Sequence, residues 1–135
     1  MSEIVLVDND YITVEYRPDH ELIYHTIHQP VGGDILRDAL NAGTAAMGKY
    51  KICKWLSDDR KNGPLSVEDA QWGASDWNPR TINKGWKYWA NVVPEEVSAA
   101  GTLNPTMGDL YRLGLRLMVF TDVASAIEWL DGLDC

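Results

Sequence analysis

The hydrophobic period of this chain changes once, after residue 30, and that change limits the folds open to it. From Tyr11 to Tyr16 apolar and polar residues alternate strictly, with Ile12, Val14 and Tyr16 on one face and Thr13 and Glu15 on the other. A period of two with one polar face predicts an antiparallel strand that is wet on one side. Ile4 to Val7 before it and Glu21 to His28 after it read as two more strands. Asp8-Asn9-Asp10 supplies turn chemistry between the first pair, because Asn and Asp bond their own backbone, and Arg17-Pro18-Asp19-His20 breaks the second. The first 30 residues are therefore expected to form an antiparallel meander.

Beyond Gln29-Pro30-Val31-Gly32-Gly33 the apolar positions Ile35, Leu36, Ala39, Leu40, Gly43 and Met47 fall at three-to-four spacing, which predicts a helix with Asp34 as its cap. Strands and helices then take turns: Tyr50 to Leu56 as strand, Ser66 to about Trp77 as helix, Lys87 to Val93 as strand, Asn104 to about Leu115 as helix, Leu117 to Thr121 as strand and Val123 to Leu133 as a closing helix. Ser66-Val67-Glu68-Asp69 resembles a capping box, Asn104-Pro105 places proline where its missing donor costs nothing, and Asp122 caps the last helix. Such alternation implies right-handed crossovers and parallel strands. The predicted fold class is α/β: a mixed sheet with an N-terminal antiparallel meander followed by alternating helices and parallel strands. No repeat, low-complexity tract or linker divides it, so residues 1–135 read as a single domain.

Composition excludes several functions. A net charge of −8 with no Lys/Arg-rich stripe argues against nucleic acid and anionic membranes, whose affinity comes from neutralised phosphates. With 45% apolar residues, six Trp and six Tyr, 135 residues can close a core without disulfide or structural metal. No apolar run approaches a membrane span, and Met1-Ser2-Glu3 opens no basic, apolar leader. Cys53 lies in an apolar run, Cys135 is the last residue, and neither belongs to a ligand spacing, so the expected setting is the cytoplasm. Gly32-Gly33 could bring backbone amides to an anion, but it is no GxGxxG or P-loop, and no cofactor or metal is expected.

The order of elements, the closing Met118-Val119-Phe120-Thr121-Asp122-Val123-Ala124-Ser125-Ala126-Ile127-Glu128-Trp129-Leu130 and the segment Gly85-Trp86-Lys87-Tyr88-Trp89-Ala90-Asn91-Val92 resemble the STAS superfamily, and within it the bacterial proteins grouped with the sporulation-stage-II antagonist AA. The resemblance covers nearly the whole chain in pattern. It implies a regulatory domain in which a Ser after the strand matched by Tyr50 to Leu56 is phosphorylated to break docking to a kinase. The family motif there is Asp-Ser-small-Gly. In this chain Ser57 instead precedes its Asp, and Ser66 stands at a helix cap beside Glu68 and Asp69, which would repel a phosphate.

Candidate site residues follow from position. Ser57-Asp58-Asp59-Arg60 lies past the carboxyl end of a central parallel strand, where ligand crevices form in open α/β sheets; the plainer reading of the same residues is turn formers with local Asp/Arg pairs. Lys54 alternates with Ile52 and Leu56, so its ammonium must find an acceptor or snorkel to an edge. His25 falls on the face of Ile23 and Ile27 and reads as a core histidine, with no Cys, Ser or acid spaced to complete a relay; His28 falls on the opposite face, so a metal shared with His20 and His25 is not expected. On the Ser66 helix Val67, Ala70, Ala74 and Trp77 share a face, which points Trp72 outward and, with Trp86 and Trp89, suggests an aromatic-walled cleft or contact patch. These features predict a non-catalytic regulatory or binding module that uses Ser57, Asp58, Asp59, Arg60, Ser66, Trp72, Trp77, Trp86 and Trp89 to recognise a protein partner or a small apolar ligand. The wider likeness to lipid-carrying CRAL-TRIO domains suggests a lipid tail as one such ligand. Homodimerisation through the same patch is the bland version, and a small hydrolase or transferase using Asp58/Asp59 with His25 or His28 is the alternative of a different class.

Overall fold

The computed structural model describes residues 3–100 and 104–135. The alternating segments form β1 (Ile4–Asp8), β2 (Ile12–Arg17) and β3 (Leu22–Ile27), each pair antiparallel. Three parallel strands continue the sheet, β4 (Lys54–Asp58), β5 (Tyr88–Val92) and β6 (Arg116–Phe120), in the spatial order β1-β2-β3-β4-β5-β6. The expected mixed α/β sheet is present.

Because strand order equals chain order, crossovers of one hand all fall on the same face. Helix α1 (Gly33–Tyr50) links β3 to β4, and α2 (Val67–Trp72), a π-helical turn (Gly73–Trp77) and α3 (Asn78–Asn83) link β4 to β5. Two further helices, α4 (Glu95–Ala100), which periodicity did not reveal, and α5 (Asn104–Arg112), link β5 to β6. Leu36, Ala39 and Met47 of α1, Trp77 and Leu110 pack with Ile12, Val14, Ile23 and Ile27 of the sheet in one core. Helix α6 (Val123–Asp131) follows β6 and covers the other face, where Ala126 and Leu130 meet Leu22, Tyr24, Leu56, Ala90 and Val92. No helix among the described residues is long and apolar enough to cross a membrane.

Four local readings change. Helix α1 runs on through Tyr50, whose ring stacks on Tyr16 at 4.2 Å, and closes with Lys51 in the left-handed region, so β4 starts at Lys54 rather than at Tyr50. The helix expected to end at Trp77-Asn78-Pro79 continues to Asn83, because the π turn, with Asn78 N–H reaching back to the Gly73 carbonyl, widens the helix just before proline would crowd it. Its buried residues are Asp69, Trp77 and Thr81, while Val67, Ala70 and Ala74 are exposed, so of the predicted apolar face only Trp77 packs. Finally, the two cysteines, read as unpaired, form a disulfide with Cα atoms 5.7 Å apart. Helix α6 returns the chain to the edge where β4 begins, which sets Cys135 beside Cys53 although 82 residues separate them in sequence.

Candidate functional site at the carboxyl rim

Parallel pairing of β3 with β4 places His25 opposite Ser57, and pairing of β4 with β5 places Ser57 opposite Asn91, all on the α1 face. Trp55 Nε1–H donates to His25 Nδ1 at 3.0 Å. Indole nitrogen has no acceptor capacity, so Nδ1 carries the lone pair and the ring proton sits on Nε2, which donates to Asp59 Oδ1 at 2.7 Å. Asn91 Nδ2 donates to the other Asp59 oxygen at 2.7 Å. Trp89 Nε1–H donates to Ser57 Oγ at 2.8 Å, and that hydroxyl stands 3.5 Å from His25 Nδ1.

Serine, histidine and aspartate thus meet in the order a nucleophilic relay requires. The arrangement is closed. Ser57 is 0% exposed and His25 is 4% exposed, and the nitrogen that would take the serine proton already accepts from Trp55. A general base must reach the proton it removes, and a nucleophile must reach a substrate. Here the network satisfies buried polar groups and locks the ends of three strands together. One-residue spacing could not reveal it, because His25, Ser57 and Asn91 come from three strands; only the register of a parallel pair aligns them.

Asp58 and Asp59 point to opposite faces. Burial alone lifts the Asp58 carboxyl, but hydrogen bonds and charge from Arg60 outweigh it and hold it below the usual carboxylate range. Arg60 Nε and the terminal Nη2 reach Asp58 Oδ1 and Oδ2 at 2.9 and 2.8 Å, a forked pair closed within the loop. His20 and His28 lie apart from this site, bonded to Asp131 and Thr13 respectively. Among the described residues no group of three or more His, Cys, Asp and Glu is placed to hold a metal ion.

The indoles make a continuous chain rather than a cleft. Trp77 lies 5.2 Å from Trp55 and 5.1 Å from Trp86, and Trp86 lies 5.1 Å from Trp89. Trp77 and Trp86 are buried, their N–H groups bonded to Thr44 Oγ1 and the Tyr88 carbonyl, so neither lines the expected contact surface. Trp72 does not point free of the core; it is half-buried, stacked on Trp77, with the guanidinium groups of Arg37 and Arg80 over its ring at 5.3 and 6.0 Å. Trp89 is half-buried and committed to Ser57.

Asp69, not singled out in the sequence, organises the rim. Gly33 opens α1 at φ +61°, and its N–H donates to Asp69 Oδ2 at 3.0 Å, while a Cβ on Gly32 would meet the same oxygen at 2.7 Å. The anion that the Gly33 amide approaches is therefore the protein's own carboxylate, a helix cap supplied from another helix instead of by Asp34. Arg37 Nε and Nη2 donate to Asp69 Oδ1 at 3.2 and 3.0 Å, and Ser66 Oγ caps α2 by accepting from Asp69 N at 3.1 Å. The Gly33 N–H, helped by Arg37 and Ser66 against the opposing effect of burial, holds the Asp69 carboxyl below its ordinary value. A folded value below the unfolded one contributes stability that is present above about pH 4 and is lost as pH falls through the folded value. Asp69→Asn is therefore expected to lower Tm at pH 7, with the gap to the parent protein narrowing below about pH 4; thermal denaturation followed by circular dichroism across that range checks it, and a gap independent of pH would contradict it.

Comparison with protein-family models, curated proteins and solved structures gives no match for this chain.

Proposed function

We infer that this chain is a non-catalytic binding module of STAS-like type that recognises a protein partner at the carboxyl rim of its sheet. The observation that carries the reading is a set of exposed apolar side chains: Val67 is 73% exposed, and Leu65 and Ile35 are exposed in the chain segments that Asp69 ties together. Asn62 adds a second tie by accepting from Val31 N at 3.0 Å. Exposed apolar side chains on a surface already held in one conformation lose little entropy on binding. Asp34 and Glu68 flank these side chains, so the matching surface is an apolar pocket rimmed by basic residues.

The sealed Ser57–His25–Asp59 relay weighs against a hydrolase or transferase. Mutual packing of Trp77 and Trp86 weighs against a small apolar ligand between the indoles. Of the two serines considered for a phosphate switch, Ser57 is out of reach of a kinase and only Ser66 is exposed. The likeness to regulatory STAS domains in element order and in the closing strand and helix supports a switch-associated role. A cytoplasmic setting, expected from the sequence, stands against the Cys53–Cys135 bond, since disulfides persist mainly in oxidising compartments.

The test is affinity isolation from cells of the source organism with the parent protein and a Leu65→Asp/Val67→Asp variant in parallel. Both positions are exposed, so the fold should change by less than about 0.5 kcal/mol. A partner held by the parent and weakened about tenfold or more in the variant supports the reading. Equal retention by both, or turnover of an acyl- or phosphoryl-ester panel that disappears in His25→Gln, would overturn it.

A further inference from the structure

Lys54, the first residue of β4, lies at the sheet edge opposite the rim. It is only 5% exposed, yet it enters none of the hydrogen bonds or ion pairs among the described residues. Its register neighbours are Leu22 on β3, which offers no side-chain acceptor, and Tyr88 on β5, whose hydroxyl it does not bond. An uncompensated buried ammonium is costly unless something else meets it. Every side-chain nitrogen and oxygen fully out of solvent's reach among the described residues has a partner, so the outlet of the Lys54 ammonium is the space it lines.

That space is a bowl of about 210 Å3 whose wall includes Glu21, Asp131, Asp134 and Cys135. His20 holds Asp131 at 2.9 Å, whereas Glu21 and Asp134 form no ion pair among the described residues. The disulfide from Cys53, next to Lys54, anchors the segment that carries Asp134. The bowl falls below the roughly 300–1,000 Å3 of pockets that take drug-sized ligands. One cation at the floor and unpaired carboxylates at the lip define opposite demands. A simple amine would meet Lys54, a simple carboxylate would meet the acidic lip, and the described acids do not converge to hold a metal ion.

We propose that this bowl binds a small amino-acid-like zwitterion, whose carboxylate accepts from Lys54 and whose ammonium is held by Glu21 and Asp134. Charge-assisted hydrogen bonds at both ends make the spacing between the two groups the basis of selection. The site is independent of the rim and of the partner proposed there.

The experiment uses the disulfide-bonded protein labelled with 15N, titrated with glycine, 4-aminobutyrate, 6-aminohexanoate and L-lysine, with propionate and propylamine as singly charged controls. At least one zwitterion should saturate shifts centred on Glu21, Lys54 and Asp134, with both controls about tenfold weaker or more. Lys54→Met should weaken that binding about tenfold or more without lowering Tm, because the Lys54 ammonium has no protein partner to lose; Glu21→Gln should weaken it with Tm unchanged. Absence of saturable shifts with all four zwitterions, equal binding of either control, or binding that survives Lys54→Met would overturn the assignment.

Discussion

Replacing Cys53 and Cys135 together by serine is expected to lower the free energy of unfolding by about 4 kcal/mol, and a reductant should do the same to the parent protein. The magnitude follows from chain statistics. The bond joins residues 82 apart, so it closes most of the described chain into a loop and removes the corresponding freedom from the unfolded state. Cys53 is buried at the entrance to β4, and the same link fastens the segment after α6 to the sheet, where Lys87 Nζ also donates to the Cys135 carbonyl at 2.9 Å. A loss of that size is a large part of the roughly 5–15 kcal/mol that stabilises a domain of this kind, and corresponds to a fall in Tm of roughly 10–15 °C. Calorimetry with and without dithiothreitol measures it, and thiol titration in denaturant reports whether the bond was formed. Two free thiols in the purified protein, or a Tm indifferent to reduction, would refute the expectation.

The second large effect is expected at Trp55. Its side chain is fully buried, lies against Trp77 and Trp86, and fits over α1 only because residue 43 is glycine: a Cβ there would stand 2.9 and 3.0 Å from the ring carbons Cζ3 and Cζ2. Its N–H also sets the tautomer of His25. Trp55→Ala should therefore cost about 4 kcal/mol from lost contacts and the void left between α1 and the sheet, plus about 1 kcal/mol for the unpaired His25 nitrogen. Trp55→Phe keeps most of the bulk but deletes the donor and should cost about half as much. Urea unfolding of the three proteins separates packing from the hydrogen bond. A Phe variant as damaging as Ala would assign the effect to the His25 network, and an Ala variant within about 1 kcal/mol of the parent would remove Trp55 from its place as the keystone of the core.

The elements legible in the sequence share one property: their signal is local. Alternation in Tyr11 to Tyr16 marks β2, three-to-four spacing marks α1, and the Ser66 and Asp122 caps mark the starts of α2 and α6, because each depends on residues within a turn or two of one another. Where local rules compete with packing they lose. Periodicity does not give the buried face of α2, since Asp69, a charged residue, turns inward to serve Gly33 and Arg37, and periodicity assigns charge to solvent.

Of the candidate residues, Asp58, Asp59 and Arg60 take their position at the carboxyl end of β4 from strand polarity alone, and Ser66 takes its own from the cap of α2. The roles of His25, Ser57 and Asn91 follow from neither, because a shift of one residue in the pairing of β3, β4 or β5 would send each side chain to the opposite face. Trp77 and Trp86 looked like walls of a cleft, since an indole's hydrophobicity does not say whether it meets solvent or another indole.

By itself, the amino-acid order determined the six strands, the helices other than α3 and α4 and, through the rule of right-handed crossovers, a mixed sheet. Tertiary structure alone decided which carboxylate caps α1, that Ser57, His25 and Asp59 meet in a network joined by Trp55 and Trp89, that Cys53 and Cys135 join, and that Lys54 is left facing a bowl. The physical reason is separation along the chain: periodicity is written in neighbouring residues, whereas these contacts join partners that only the completed sheet brings within a few ångströms.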